Sequence, residues 1–146
     1  MSSPDIPRRS LFLGGMTLAA GGAAASTASG ATPTVLIEQT FLKAEPGRRA
    51  DLARYIEANW FVLDRQGVAR GIFTSFALYE DIDANADWDL MVAVGYPQPQ
   101  GYDDPATQAV FKALKAAHVD VPIDGRSLAA LGRIVRHHRL RLMVGG

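Results

Sequence analysis

The chain predicts an α+β domain with elements in the order β-α-β-β-α-β, an antiparallel sheet carrying two helices on one face. Three observations predict it. Two stretches, 46–66 and 105–118, repeat apolar residues at helical spacing. Four others, 35–43, 72–79, 88–96 and 133–143, are rich in β-branched, aromatic and other apolar residues. Between them, Glu45-Pro46-Gly47, Gly67 and the 97–101 segment supply the breaks.

The first strand, 35–43, carries Val35, Leu36, Ile37, Thr40 and Phe41 with few charges. Pro46 is expected to open the helix, because proline suits the first helical position. Leu52, Tyr55, Ile56, Asn59 and Leu63 then form its apolar stripe. Arg48, Arg49, Asp51, Arg54, Glu57 and Asp64 are expected mostly on the opposite face, and Gly67 to stop the helix. The second strand, 72–79, has apolar residues on both faces. The polar 80–87 connection leads to the third strand, 88–96, with Trp88, Leu90, Val92, Val94 and Tyr96 on one face. Asp104-Pro105 is a cap residue followed by proline, so a helix begins there with Val110, Phe111 and Leu114 turned inward. A short helical turn is expected at 127–131, before the last strand, 133–143. No repeat is visible.

This order is the ferredoxin-like βαββαβ arrangement. Its outer sheet face is ordinarily wet and polar, but strands apolar on both faces need cover on both. A second copy of the sheet is the economical cover, so a homodimer is expected. The 42–48 segment Leu-Lys-Ala-Glu-Pro-Gly-Arg, the helix through Asn59-Trp60, and Trp88-Asp89-Leu90-Met91-Val92 carry a resemblance to the dimeric α/β-barrel superfamily over residues 34–143. The resemblance implies a barrel-like homodimer with a site between helices and sheet or inside the barrel. Activities in that superfamily include cofactor-independent monooxygenases, haem-degrading enzymes and isomerases. Its members share no common catalytic residue, so fold alone does not deliver function.

Ahead of the domain, Arg8-Arg9-Ser10-Leu11-Phe12-Leu13 precedes a Gly- and Ala-rich run and resembles a twin-arginine export signal. The apolar run is shorter than the ~20 residues that span a bilayer. Residues 1–31 therefore read as a cleaved signal, leaving 32–146 as one domain in a periplasmic or otherwise exported protein with no stable membrane insertion. The whole chain balances 15 basic against 15 acidic residues, which gives no reason to expect nucleic acid. It has no cysteine, which excludes disulfides, thiolate metal sites and cysteine nucleophiles.

His137-His138 invites a metal reading, but neighbours on a strand point to opposite faces and four arginines surround the pair. No metal or cofactor is expected. His118 reads chiefly as a solvated helix end suited to the dipole, with a ligand or acid–base role as the lesser reading. Asp81, Asp83, Asn85 and Asp87 alternate like a calcium loop, but Ala86 and Val92 stand where that motif needs glycine and glutamate. An acidic turn is the simpler reading. Seven acids and no basic residue lie from Glu80 to Asp104, and five arginines and no acid follow Asp124. Such blocks are solvated faces, or they set a dimer register or attract an anion.

No phosphate-binding, nucleophile-elbow or zinc-protease motif is present. Asn59, Trp60, Tyr79, Trp88, Tyr96 and His138 are the residues most able to line a pocket, and Asn59, Trp60 and His138 are the expected ligand-binding set. Asn59 matters because an amide on an apolar stripe must find a partner, and it is expected to face the sheet. A protein holding a small, largely apolar ligand follows, with cofactor-independent monooxygenase or isomerase chemistry as what the resemblance implies. The rival is a non-catalytic dimerisation or interaction module of the cell envelope. Export is directly testable: replacing Arg8 and Arg9 with lysine should leave the protein in the cytoplasmic fraction, and normal export of that variant would remove the twin-arginine reading.

Overall fold

The computed structural model describes residues 31–83 and 87–145. The export-signal reading lies almost wholly outside the described residues, as do Asn85 and Ala86 of the acidic turn. Among the described residues, no helix is long and apolar enough to cross a membrane.

Strand β1 is Leu36–Ala44, β2 is Ser75–Glu80, β3 is Leu90–Tyr96 and β4 is Gly132–Arg141. All pair antiparallel in the order β2-β3-β1-β4, so the first strand lies between the third and the last. That order is the ferredoxin-like fold. Leu42 pairs with Leu90 on one side and Ile134 on the other. A bulge beside Phe41 and Leu42 places Val135 as the extra residue of β4.

The helical run between β1 and β2 has three parts: α1 is Arg49–Tyr55, a π turn is Ile56–Trp60, and α2 is Phe61–Ala69. It begins later than Pro46. Glu45-Pro46-Gly47 makes a turn instead, with Gly47 at φ +73°, and Arg48 stands at the N-cap. It also ends later than Gly67. The left-handed position falls to Gly71, at φ +77°. Gly67 serves packing instead. The Phe73 ring occupies the space a Cβ would need there, so only glycine lets that ring reach the helix.

The π turn changes which residues face the sheet. One extra residue in a turn sets every later side chain back by roughly 100°. In an unbroken α-helix, Asp64 would sit roughly 120° from Leu52, at the margin of the polar face. The setback returns it to the inner stripe. Leu52, Tyr55, Ile56, Asn59, Leu63, Asp64 and Gly67 are accordingly all buried, which corrects the expectation of an exposed Asp64.

After the 3-10 turn Gly101–Asp103 comes α3, Pro105–Ala117, where the Asp104 side chain accepts from the Thr107 amide at 2.8 Å as a cap. Helix α4, Leu128–Leu131, precedes β4. The main core gathers Leu42, Leu90 and Val92 from the sheet with Leu52, Tyr55, Ile56 and Phe61 from the helical run. A second cluster joins Leu36, Ile72, Phe73 and Tyr96, with Tyr102, Val110 and Phe111 packed against it. Ile72 and Phe73 thus plug this cluster before β2 begins, which explains why the strand starts three residues later than its composition suggests.

The other sheet face is mixed. Phe41 is buried there beneath Trp88, edge-on at 5.1 Å, with the Arg136 guanidinium 4.8 Å from the ring centre. Trp88 therefore leaves the alternation expected for it with Leu90 and Val92, because β3 starts only at Leu90. Asp89 stitches the corner. Its carboxylate accepts from the Ala44 amide at 2.8 Å, Arg49 at 2.6 Å and Lys43 at 3.1 Å. Burial opposes that charge, but these donors outweigh it and hold the carboxyl below the usual range.

Opposed charge blocks meet within the chain. Arg139 pairs with Asp103 at 2.9 Å and Glu38 at 3.3 Å, and Arg136 reaches Asp87 at 3.6 Å. Central β1 brings the arginines of β4 close to acids on its own strand and on the loops flanking β3.

Candidate functional site

A cavity of about 410 Å³ opens between the helices and the sheet. This volume suits a ligand of one or two rings. Its walls are mostly apolar: Leu63, Phe73, Val92, Val94, Phe111 and Leu128 contribute, with Trp60, Tyr96 and Tyr102. Polar side chains contribute as well. Asn59, Asp64, Thr40, Tyr55, Lys115, His118 and Asp120 also line it.

Asn59 is 1% exposed and fully engaged. Its Nδ2 donates to the Tyr55 carbonyl at 3.0 Å and the Val121 carbonyl at 2.9 Å. Its Oδ1 accepts from the Val121 amide at 2.6 Å and lies 3.1 Å from His118 Nε2. The amide faces the 118–121 segment rather than the sheet, because that segment offers both backbone groups it can satisfy. Two carbonyl acceptors and one amide donor fix which side of Asn59 is oxygen. His118 Nε2 must then be the donor, which leaves Nδ1 as the proton acceptor of the neutral ring. Tyr55 braces the same segment by donating to Asp120 at 3.1 Å. Burial, reinforced by that bond, raises the phenol's pKa above the ordinary tyrosine value.

Asp64 behaves differently. It is 5% exposed, and no hydrogen bond or ion pair to it occurs among the described residues. Burial pushes its carboxyl up to about 7. Tyr96 donates to Glu38 at 3.0 Å, and its own ionisation is driven far upward by burial and then by Glu38. The phenol stays neutral, a fixed dipole in the wall.

The structure brings Asn59, Trp60 and Tyr96 together at this cavity. His138 is not among them. It pairs with Gln39 on the face away from the helices, where its ring stands 5.2 Å from Phe41. Strand alternation sends His137 to the helix side instead, 3.2 Å from Thr40. The histidine in the cavity wall is His118, whose side chain is 13% exposed and so not a solvated helix end. Tyr79 and Trp88 lie outside the lining. Sequence reasoning missed Asp64 because only the π turn carries it inward. Among the described residues, no group of three or more His, Asp or Glu is placed to hold a metal ion.

No family model and no curated protein matches the chain. Among solved structures, it resembles PA3566 from Pseudomonas aeruginosa, with 15% identity and a TM-score of 0.47 over 77% of this chain and 98% of that one. It also resembles SnoaB, a cofactor-independent oxygenase from Streptomyces nogalater, with 13% identity and a TM-score of 0.41 over 77% and 97%. Neither likeness bears on chemistry; the sheet order itself defines the fold.

Asp64 makes stability depend on pH. Its folded pKa lies above the unfolded one, so the folded state favours the neutral acid. The resulting penalty is absent below about pH 4, grows as pH rises, and is complete above about pH 7. Asp64→Asn should therefore match the parent in urea unfolding near pH 4 and exceed it by about 3–4 kcal/mol at pH 8. Equal stability at both pH values would mean the carboxyl is solvated.

Proposed function

We propose that the protein binds a small, largely apolar molecule in this cavity and moves a proton on it, the step that cofactor-independent oxygenation and isomerisation both require. The observation that carries this reading is His118, held through Nε2 by Asn59 Oδ1 at 3.1 Å in the wall of a largely apolar cavity. A base held in one tautomer, where water is scarce, can take a proton from an acidic O–H or C–H of a bound substrate. Trp60 and the other aromatic walls would orient the substrate's apolar body. The rival, a purely structural interaction module, calls for an interior closed by packed side chains, and this interior is open.

In the same proposal the protein is exported by the twin-arginine route, residues 1–31 are removed, and 32–146 acts as a homodimer. Support for the dimer comes from the outer sheet face, where Ile37, Ala77, Tyr79, Met91, Ala93 and Leu140 fall on one side by register. Tyr79 and Leu140 are 52% and 47% exposed. Exposed apolar side chains grouped on one face support an interaction surface. Light scattering at micromolar concentration should give twice the chain mass, and a stable monomer would remove the dimer.

The ligand reading is tested with N-phenyl-1-naphthylamine, a neutral apolar probe, in a Trp88→Phe background where Trp60 is the remaining tryptophan. Probe binding should quench Trp60. Asn59→Leu leaves the backbone groups of Val121 unpaired, so it should cost about 1–3 kcal/mol in stability and weaken probe binding at least tenfold. An unquenched Trp60 would sink the cavity as a ligand site.

A further inference from the structure

Asp64 is a cavity carboxyl that the His118 reading does not use. It is more than nine-tenths buried, lines the cavity, and meets no donor among the described residues. Structural carboxylates in this chain look different: Asp89 has three donors, and Glu38 has Tyr96, Tyr102 and Arg139. A buried carboxyl without a partner is costly when charged, so a fold that needed only packing would do better with an apolar residue.

The groups around it narrow what could complete it. Lys115 lines the same cavity but is exposed and forms no ion pair with Asp64. A neutral hydroxyl donated by a ligand would leave the negative charge buried and uncompensated. A cation would neutralise it and make a charge-assisted hydrogen bond. The remaining wall suits a cation as well. Trp60, Phe73, Tyr96, Tyr102 and Phe111 supply aromatic surface, which attracts positive charge and covers an apolar body. Phe73, Phe111 and Tyr102 already pack ring to ring at 5.6 and 5.8 Å.

We infer that Asp64 is the anchor for a positively charged ligand, a protonated amine carried on a small apolar or aromatic body. This rests on the proposed use of the cavity as a ligand site and names the class of molecule that enters it. Binding consumes the ionised carboxylate, so affinity for the amine rises with pH until Asp64 is deprotonated. The other titratable groups facing the cavity are Tyr96 from β3, with Glu38 of β1 bound to it; Tyr102 before α3; Lys115 and His118 at the end of α3; Asp120 beyond it; and Tyr55 of α1. The Asp64→Asn variant separates the contribution of these groups from that of Asp64.

The test is calorimetric titration of the purified protein with 2-phenylethylamine and with its uncharged counterpart 2-phenylethanol, at pH 8 and pH 5.5. At pH 8 the amine should bind at least tenfold more tightly than the alcohol. That preference should shrink severalfold at pH 5.5 and fall below threefold in Asp64→Asn. If the alcohol binds as well as the amine, the anchor is wrong and the cavity reading stands. If Asp64→Asn keeps the preference, another group binds the cation and the anchor is again wrong. If neither probe binds, the anchor is wrong, and the quenching of Trp60 by N-phenyl-1-naphthylamine decides the cavity reading. Should Asp64→Asn not fold, the pH dependence of the amine preference in the parent decides, and a preference independent of pH overturns the inference.

Discussion

The π turn at Ile56–Trp60 governs the rest of this structure. A helix that crosses a sheet has one stripe to bury, and its phase decides which residues form it. Inserting one residue resets that phase midway. Upstream, Leu52, Tyr55 and Ile56 pack into the main core. Downstream, the reset brings Asp64 into the buried stripe beside Gly67. Gly67 admits the Phe73 ring, Phe73 organises the second cluster, and the cavity lies between the two clusters. A hydrogen-bond ladder interrupted in this way costs stability, and such turns recur where function needs a side chain re-aimed.

Asn59 sits inside the π turn and turns its irregularity to use. Its side chain ties the helical run to residues 118–121 by bonding both backbone groups of Val121 and the ring of His118. The segment after α3 has little regular structure, so this amide supplies partners that a strand or helix would otherwise provide. The same contacts fix the tautomer of His118. One residue thus links a local helix defect, the closure of a loop and the orientation of the cavity's histidine.

The fold was legible because each element announced itself locally. Alternation marked β3, Asp104-Pro105 marked the start of α3, and the order of elements implied the sheet. Asn59 and Trp60 were legible too, the first as an amide stranded on an apolar stripe. Other features were hidden for physical reasons. Periodicity is read at a constant 100° per residue, so a π turn erases the evidence for Asp64. His118 gained its place from a tertiary contact with Asn59, 59 residues away in sequence. His138 was misjudged as a cavity residue because the side of the sheet that a strand residue faces depends on register, which β1 pairing sets and composition does not.

The reset helix holds the Asp64 carboxyl in an apolar cavity without a partner among the described residues, and its ionisation reports this directly. A ¹³C titration of the side-chain carboxyl carbons, with Asp64 assigned by comparison with Asp64→Asn, should show its midpoint near 7, where burial places it. A midpoint near the ordinary aspartate value of about 4 would place the carboxyl in water and contradict the account.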